Sequence, residues 1–469
     1  MINTLYLPEL REMLAENDRT GLQEFCGALH PARVAEFMEG LEAIEMWQVL
    51  QATEPDVRAD IFSFVEEAKQ VEIVETVGPE GISRLIADMP ADDRVDLLSE
   101  VDQEVMEQTL PLLPQEDRRE TLRLLGYAEG TAGALMTTEV ARLSQTLTVH
   151  DALEAISRQS QDLETVYYNY VVDDQDHLLG LVSARDLVVN FTRPDTPISD
   201  LMQRDVVTVL VTDDQEAVAE KVANYNFIAI PVVDHHRKLL GIITHDDVID
   251  VLQEEATEDA HRSASVDPLE DGYLETVWHQ LAWKRGIWLT VLFVAALLTA
   301  LALRGYEEDF QKVTWLVLFI PLVISSGGNT GSQSATLVIR GLTTGDVNLR
   351  DWRRVLRKEL AMGLCLGGSL AAIGYLCAVM LTRSVPESAD GVASAVNAVP
   401  TLWEVLVVPI TLLLVVMCGT MTGGLLPLLF QRMGLDPALM SNQFVAGIVD
   451  IAGILIYMTV AMIMVPGLW

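Results

Sequence analysis

Carboxylates dominate the chemistry open to this chain, and one of them stands apart. Asp450 lies inside FVAGIVDIAGILIYMTVAMIMV, an apolar run long enough to cross a bilayer, roughly two helical turns from its start. No basic residue is within reach along that helix, and Asp is too short to snorkel to an interface. An ionisable group so placed costs about 3 kcal/mol or more, so it is expected to face a cavity, a partner or an ion.

Other acids come in groups. Within HDDVIDVLQEEATEDAH (245–261), Asp246, Asp247, Asp250, Glu254, Glu255, Glu258 and Asp259 fall largely at helical neighbour spacings. Like charges at those spacings destabilise a helix, so either a multivalent cation relieves them or the face is simply solvated; the cluster's place at the junction with the membrane region favours the cation. Asp92, Asp93 and Asp96 gather at a helical turn, where capping carboxylates are the ordinary explanation. A last constellation is polar without charge: Gly327, Gly328, Asn329, Gly331, Ser332, Gln333 and Ser334 interrupt the apolar stretch 319–342. Glycine-rich polar backbone at membrane depth must be buried in protein or line water. The run lacks the Gly-Lys-Ser/Thr ending of a Walker loop.

Composition fixes what these groups belong to. The 469 residues carry 31 Lys/Arg and 68 Asp/Glu, but 284–469 holds only 12 and 11 of them. Residues 1–283 keep 19 and 57, so the first part carries −38 and the second +1. An acidic soluble region is therefore expected ahead of a nearly neutral membrane region. Such a negative excess repels nucleic acid and anionic lipid, and suits hard cations that take oxygen ligands. The four cysteines (Cys26, Cys365, Cys377 and Cys418) show neither a disulfide framework nor zinc spacing, as expected for a reducing cytoplasm. The N-terminal stretch lacks the basic start and apolar core of a signal peptide.

Several elements must position these groups. In 1–125, Pro31, Pro55, Pro90 and Pro114 each open an apolar-periodic segment, at spacings of 24, 35 and 24 residues. Stacked helix pairs with Pro in the first turn are expected. A stronger repeat follows, in which 170–187 matches 230–248 and Gly180/Gly241, Ser183/Thr244 and Asp186/Asp247 are offset by 61. Each copy reads strand, turn, strand and polar turn into a helix, with His235-His236 in the turn and not a ligand pair. Met136 and Met202 mark similar starts. The arrangement resembles a tandem pair of CBS domains, modules that often bind adenine nucleotides. In that resemblance Ser183/Asp186 and Thr244/Asp247 approach a ribose, although both sets also make good helix N-caps.

Residues 262–283 read as an amphipathic linker helix. Five apolar segments follow, near 286–303, 313–339, 360–382, 402–430 and 443–466. Lys284 and Arg285 precede the first, and Arg340, Arg350, Arg353, Arg354, Arg357 and Lys358 lie between the second and third. The positive-inside rule then places the N-terminal region in the cytoplasm and Trp469 outside, after five spans. Gly363-x-x-x-Gly367 and Gly419-x-x-x-Gly423 are helix-packing spacings.

The Gly-Gly-Asn-x-Gly-x-Gln-Ser run at 327–334, the LDPALMSN loop at 435–442 and Asp450 resemble the MgtE family of magnesium channels. The resemblance covers essentially the whole chain. It implies an acidic all-α superhelical domain (1–130), an α+β CBS pair (131–196 and 197–256), a connecting helix (257–283) and a five-helix transmembrane domain (284–469). It also implies a homodimer in a bacterial inner membrane, with the pore on the two-fold axis. Asp450 would bind hydrated Mg²⁺, and Gly327, Gly328, Asn329, Asn442 and Ala446 would line the pore. Cytosolic Mg²⁺ sites map onto Asp60, Asp92, Asp96, Asp214, Glu216, Asp247, Asp250, Glu255, Glu258, Asp259 and Asp436. ATP is implied as a regulatory ligand at Ser183, Asp186, Thr244 and Phe227. Two departures stand out: Asn226 replaces an aspartate that can serve the family as a ligand, and GIVDIAG lacks the hydroxyl residue often found three or four positions before the aspartate.

The expected function is therefore a Mg²⁺ channel closed by cytosolic Mg²⁺. Mg²⁺ surrenders its waters reluctantly, so a wide pore with one carboxylate per subunit suits the hydrated ion. A secondary divalent-cation transporter (Mg²⁺, Co²⁺ or Mn²⁺) coupled to H⁺ or Na⁺ is one alternative. A membrane-anchored Mg²⁺ or nucleotide sensor is another, but it leaves the polar second segment unexplained. An enzyme is not expected: an intramembrane aspartyl protease needs two membrane aspartates, and Glu404 lies near the opposite face from Asp450.

Overall fold

The computed structural model describes residues 5–159, 163–269, 272–274, 276–383, 400–437, 442–466 and 468. They form two compact units, 1–254 and 255–469.

The first unit begins with ten helices among the described residues, from α1 (Leu7–Glu16) to α10 (Gln115–Leu124). Pro31, Pro55 and Pro79 each occupy the first turn of a helix, α3 (Pro31–Met38), α5 (Pro55–Ser63) and α7 (Pro79–Asp88), where a missing N–H costs nothing. Alternate helices pack on one another, α3 on α5 and α5 on α7, so the working period is 24 residues throughout. The expected 35-residue step passes over Pro79. Pro90 and Pro114 instead precede α8 (Ala91–Glu100) and α10. A second signal keeps the same rhythm. Arg58, Gln70 and Arg94 each donate to carbonyls eight and five residues earlier, closing the end of the preceding helix. The buried core runs from Leu10 to Leu113 along these stacked faces.

The repeat at 170–187 and 230–248 forms two matching three-stranded sheets. In each, a short strand pairs parallel with a middle strand, which pairs antiparallel with the third. The strands are β1 (Arg142–Ser144), β2 (Tyr168–Val172) and β3 (Leu178–Ser183), then β4 (Val209–Leu210), β5 (Ala229–Val233) and β6 (Leu239–Thr244). The turn residues Asp176 and Arg237, 61 apart, both take positive φ, and each turn bonds to the other copy's strand. Asp173 and Asp234 accept equivalent pairs of backbone bonds inside the turns, which accounts for His235-His236 as turn residues.

The leaders of the two copies cross over. Thr137 bridges Ile242 of the second sheet, and Gln203 bridges Leu181 of the first. That crossing demands the paired glycines: a Cβ on Gly241 would meet Thr137 O at 2.2 Å, and one on Gly180 would meet Gln203 O at 2.8 Å. Around the sheets lie α11 (Val149–Gln159), α12 (Ala184–Val189) and α13 (Gln215–Tyr225). Ala91, Val95 and Leu124 of the helical repeat share a core with the second copy, which ties the two domains together.

Helix α14 (His245–Ser263) leaves the second sheet and runs continuously through residue 254 into the second unit. The expected connecting helix over 257–283 is not one helix. Residues 257–263 finish α14, and 278–283 open α15 (Trp278–Arg304). The described residues between are not helical. Ser265 takes φ 60°, and Pro268 disfavours the α region for the preceding residue.

The second unit continues with α16 (Glu307–Lys312), α17 (Ile320–Thr343), α18 (Trp352–Arg383), α19 (Leu402–Val405), α20 (Val407–Arg432) and α21 (Asn442–Met464). Among the described residues, four stretches are long and apolar enough to cross a membrane: 278–304, 349–382, 402–432 and 442–464. Helix α17 falls outside that set because its polar run dilutes its hydropathy, yet it packs against α20 and α21 at the centre of the unit. The glycine spacings do what was expected of them. Gly419 and Gly423 bring α20 against the backbone of Gly327 and Gly331, and Gly363 and Gly367 bring α18 against Met417 and Leu413 of α20. Residues 438–441 of the LDPALMSN loop lie outside the described residues, as does Trp469.

Candidate functional site

Asp450 sits on the face of α21 that packs against α17. An added Cβ on Gly328 would stand 3.1 Å from Asp450 Oδ1 and 3.3 Å from the Ala446 Cβ, so the carboxylate rests on a glycine. Asn442, Ala446 and Asp450 follow at steps of four and form one stripe of α21. At its head, Ser332 donates to Asn442 O at 2.7 Å and Thr336 donates to Asn442 Oδ1 at 3.0 Å.

Helix α17 presents two unlike faces. Val323, Gly327, Thr330, Gly331, Ser334 and Val338 are buried against its neighbours. Ser325, Asn329, Gln333 and Thr336 are exposed, at spacings that make one polar stripe. Asn329 Nδ2 donates to Ser325 Oγ within that stripe. Of the expected lining residues, the structure brings Gly328 and Ala446 beside Asp450, keeps Asn442 on the same stripe two turns earlier, and leaves Asn329 on an open face. Gly327 is buried within the chain. It is covered by Val415 and Val449, because its missing side chain is what admits α20.

One membrane-region carboxylate is not marked by the sequence pattern. Glu359 is buried on α18 and accepts from Ser334 Oγ at 2.7 Å. It sits directly after Arg357 and Lys358, which read as a basic connection, while the helix actually starts at Trp352. Glu404, by contrast, closes a capping box with Thr401 at the start of α19.

The first unit holds the denser group. Asp92, Asp93 and Asp96 on α8 stand with Asp246 and Asp247 on the first turn of α14, and with Glu164. Asp92 is buried, and its Oδ1 has no hydrogen-bond partner among the described residues. Burial first, then the neighbouring Asp247, Asp93 and Glu164, pushes its carboxyl well above the usual range. Burial and neighbouring acids likewise lift Asp96 and Glu164 to about 7. Asp247 reaches about 6, chiefly through burial, against the lowering effect of the hydroxyl that Thr244 donates at 2.7 Å. Asp93 is raised by burial too, although Ser63 donates to it at 2.7 Å. Glu164 and Asp246 are absent from the expected ligands, and Asp93 reads in sequence as a cap. Only the fold brings Glu164 near α8, so no local pattern marks it.

The other expected cation residues divide. Asp60 and Asp250 are largely exposed, and partial desolvation, then one acidic neighbour (Asp56 and Asp246 respectively), raises each. Asp214 caps α13 by accepting from the Glu216 amide at 3.0 Å. Glu258 and Asp436 both pair with Arg262, and the Asp259 carboxyl is raised by burial, then by Asp436 and Glu255. Among the described residues, no three His, Cys, Asp or Glu side chains converge as a closed metal site. The chemistry still fits Mg²⁺: carboxyls whose charged form is disfavoured by burial and like charge gain most from a divalent ion that binds through its own waters.

The two Ser/Thr–Asp sets turn out unequal. Ser183 donates to Asp186 at 2.5 Å and closes a capping box, and both residues line a cavity of about 190 Å³ with Phe227, Tyr168, Gln203 and Asp205. Thr244 is buried and is not in that lining, because its partner Asp247 faces the acidic cluster instead. Asn226 ends α13 with φ 54°, a left-handed conformation that Asn tolerates well. Phe227 stacks on Tyr225 at 5.3 Å.

Comparison with known proteins follows the same divisions. A family model described as a divalent cation transporter (MgtE) matches residues 320–460. The MgtE intracellular N domain matches 29–130, and the CBS domain matches 132–192 and 198–254. The magnesium transporter MgtE of Thermus thermophilus is 37% identical over 455 residues, covering 96% of this chain and 97% of that protein. The magnesium transporter MgtE of Enterococcus faecalis is 33% identical over 346 residues, 74% of this chain and 72% of that one. The crystal structure of the soluble part of a magnesium transporter aligns with 53% of this chain and 97% of its own, at 37% identity and a TM-score of 0.51.

Proposed function

The chain belongs to the MgtE family of magnesium transporters, and from that premise we propose that it is a five-span Mg²⁺ channel closed from the cytosol by Mg²⁺ itself. Mg²⁺ transport is its function. The observation that carries the proposed channel is the polar stripe of α17 running beside the Asn442–Ala446–Asp450 stripe of α21. Such a surface is costly against lipid and must meet water or protein. A second copy of the chain facing it across a two-fold axis would enclose a polar path with two Asp450 carboxylates. Those carboxylates would accept hydrogen bonds from the waters of a hydrated Mg²⁺, and the doubled charge favours a divalent over a monovalent ion.

In this reading the N-terminal region lies in the cytoplasm and the C-terminus outside. The regulatory ions sit in two groups, one at Asp92, Asp96 and Asp247, with Asp93, Asp246 and Glu164 adding charge, and one from Glu258 and Asp259 towards Asp436. Two carboxylates about 4 Å apart repel by roughly 4 kcal/mol at an effective dielectric near 20. A divalent ion removes that repulsion, and its preference for the compact state biases the equilibrium towards it. Helix α14 starts at this cluster and reaches Glu258 and Asp259, so it carries the change towards Asp436 and the entry of α21. The cavity at Ser183, Asp186 and Phe227 would take ATP, with Asp186 meeting the ribose hydroxyls.

The test is Mg²⁺ entry into proteoliposomes containing the full chain. Uptake down a Mg²⁺ gradient alone, at a rate independent of H⁺ and Na⁺ gradients, is expected of the channel. Uptake that requires either gradient would replace it with a coupled carrier.

A further inference from the structure

The acidic end of α14 already holds a cation, and the chain supplies it. Arg262, in the helix's last turn, forms an ion pair with Glu258 one turn earlier and donates from Nη1 to Asp436 Oδ2. The three side chains are only a quarter to a third exposed. Asp436 stands six residues ahead of Asn442, in the connection from α20 to α21. One guanidinium thus fastens the acidic helix to the segment that delivers Asn442, Ala446 and Asp450. Its surroundings remain acidic. Glu255, Glu258, Asp259 and Asp436 outnumber Arg262 and Arg340, and the Asp259 carboxyl stays raised, by burial first and then by Asp436 and Glu255.

We propose that Arg262 is a built-in competitor of Mg²⁺: it occupies Glu258 and Asp436, and thereby sets the cytosolic Mg²⁺ concentration at which the channel closes. The inference rests on the closure by Mg²⁺ proposed above. A guanidinium offers a planar fork of donors that matches carboxylates and carries one charge. Hydrated Mg²⁺ brings two charges in a compact octahedral shell. Both cannot hold the same oxygens, so the ion binds only the fraction of molecules in which the arginine has swung away. Its apparent affinity falls by that fraction. Lysine, a strongly hydrated point charge without the fork, would compete less well.

The experiment is open probability against cytosolic Mg²⁺ for the full-length protein in planar bilayers, comparing wild type, Arg262→Lys and Arg262→Gln. Arg262→Gln should close at about three- to fivefold lower Mg²⁺, the size of one partly exposed ion pair. Arg262→Lys should fall between, and unit conductance should not change. In an Asp436→Asn background the effect of Arg262→Gln should vanish. A midpoint equal to wild type overturns the proposal, and a midpoint above it makes Arg262 a latch that aids closure, which overturns it too. Should wild type fail to close at all, the gating reading fails by itself. Calorimetric Mg²⁺ binding to the same purified proteins then still decides the competition, and equal affinity in wild type and Arg262→Gln overturns it.

Discussion

Asp92 and Asp450 are the same functional group in opposite company. Asp92 is 8% exposed and stands among Asp93, Asp96, Asp247 and Glu164, acids drawn from two helices and a distant segment. Among the described residues Asp450 has no acidic neighbour, and it rests against Gly328 and Ala446 between apolar helices. A crowded cluster stores repulsion that a bound ion releases, so its occupancy changes how strongly the elements hold together. Within one chain Asp450 has no such repulsion to release, and in the proposed pore it meets only its counterpart from the second copy, where the pair recognises what passes. In the proposed reading, density of charge separates a site that responds to an ion from one that lets it through.

The sharpest way to break this contrast is to remove the lone group. Asp450→Ala should lower Mg²⁺ uptake into proteoliposomes by about 100-fold or more, to the leak of empty vesicles, since no other group in the stripe carries charge. Mg²⁺-dependent protection of the N-terminal region from protease should survive unchanged. Gly328→Val tests the support of Asp450 rather than its charge. Its branches would drive into Asp450 and Ala446, and uptake should fall by about tenfold. Gly328→Ala, whose Cβ needs its neighbours to give by only tenths of an ångström, should lose much less.

The cluster should fail in the other way. Its raised carboxyls bind more protons folded than unfolded between about pH 4 and 7, so in the absence of Mg²⁺ stability should fall as pH rises through that window. The melting temperature of the full-length protein in EDTA should drop by several degrees from pH 5.5 to 8, and millimolar Mg²⁺ should restore most of the loss at pH 8. Asp92→Asn with Asp96→Asn should flatten both dependences. The smallest effect belongs to Asp60→Asn. That side chain is exposed, so stability should move by no more than about 0.5 kcal/mol in urea unfolding.

Much of this contrast is legible in the amino-acid sequence. Asp450 announces itself because a charge inside an apolar run has no bland explanation, and the 61-residue offset marks both sheets down to their turn residues. What stays hidden is long-range. Glu164 joins Asp92 only through tertiary packing, and Thr244/Asp247 looks like Ser183/Asp186 in sequence yet faces the acids instead of the cavity. The packing of Gly327 against Val415 and Val449 is likewise hidden, because neither a resemblance nor a Gly-rich pattern tells a glycine that faces water from one that admits a neighbouring helix. The linker helix fails on Ser265 and Pro268, local breakers that outweigh amphipathic periodicity. Pro79 shows the cost of missing one repeat mark, since with it the 24-residue period is continuous.

The most direct test records single channels of Asp92→Asn/Asp96→Asn/Asp247→Asn beside wild type while cytosolic Mg²⁺ is stepped from nominally zero to about 20 mM, above the range of weak oxygen-ligand sites. Wild type should close steeply. The triple variant should keep the wild-type conductance and stay open across the range. Closure of the variant at the wild-type concentration, or loss of its conductance, would contradict the division of labour between the two carboxylate sites.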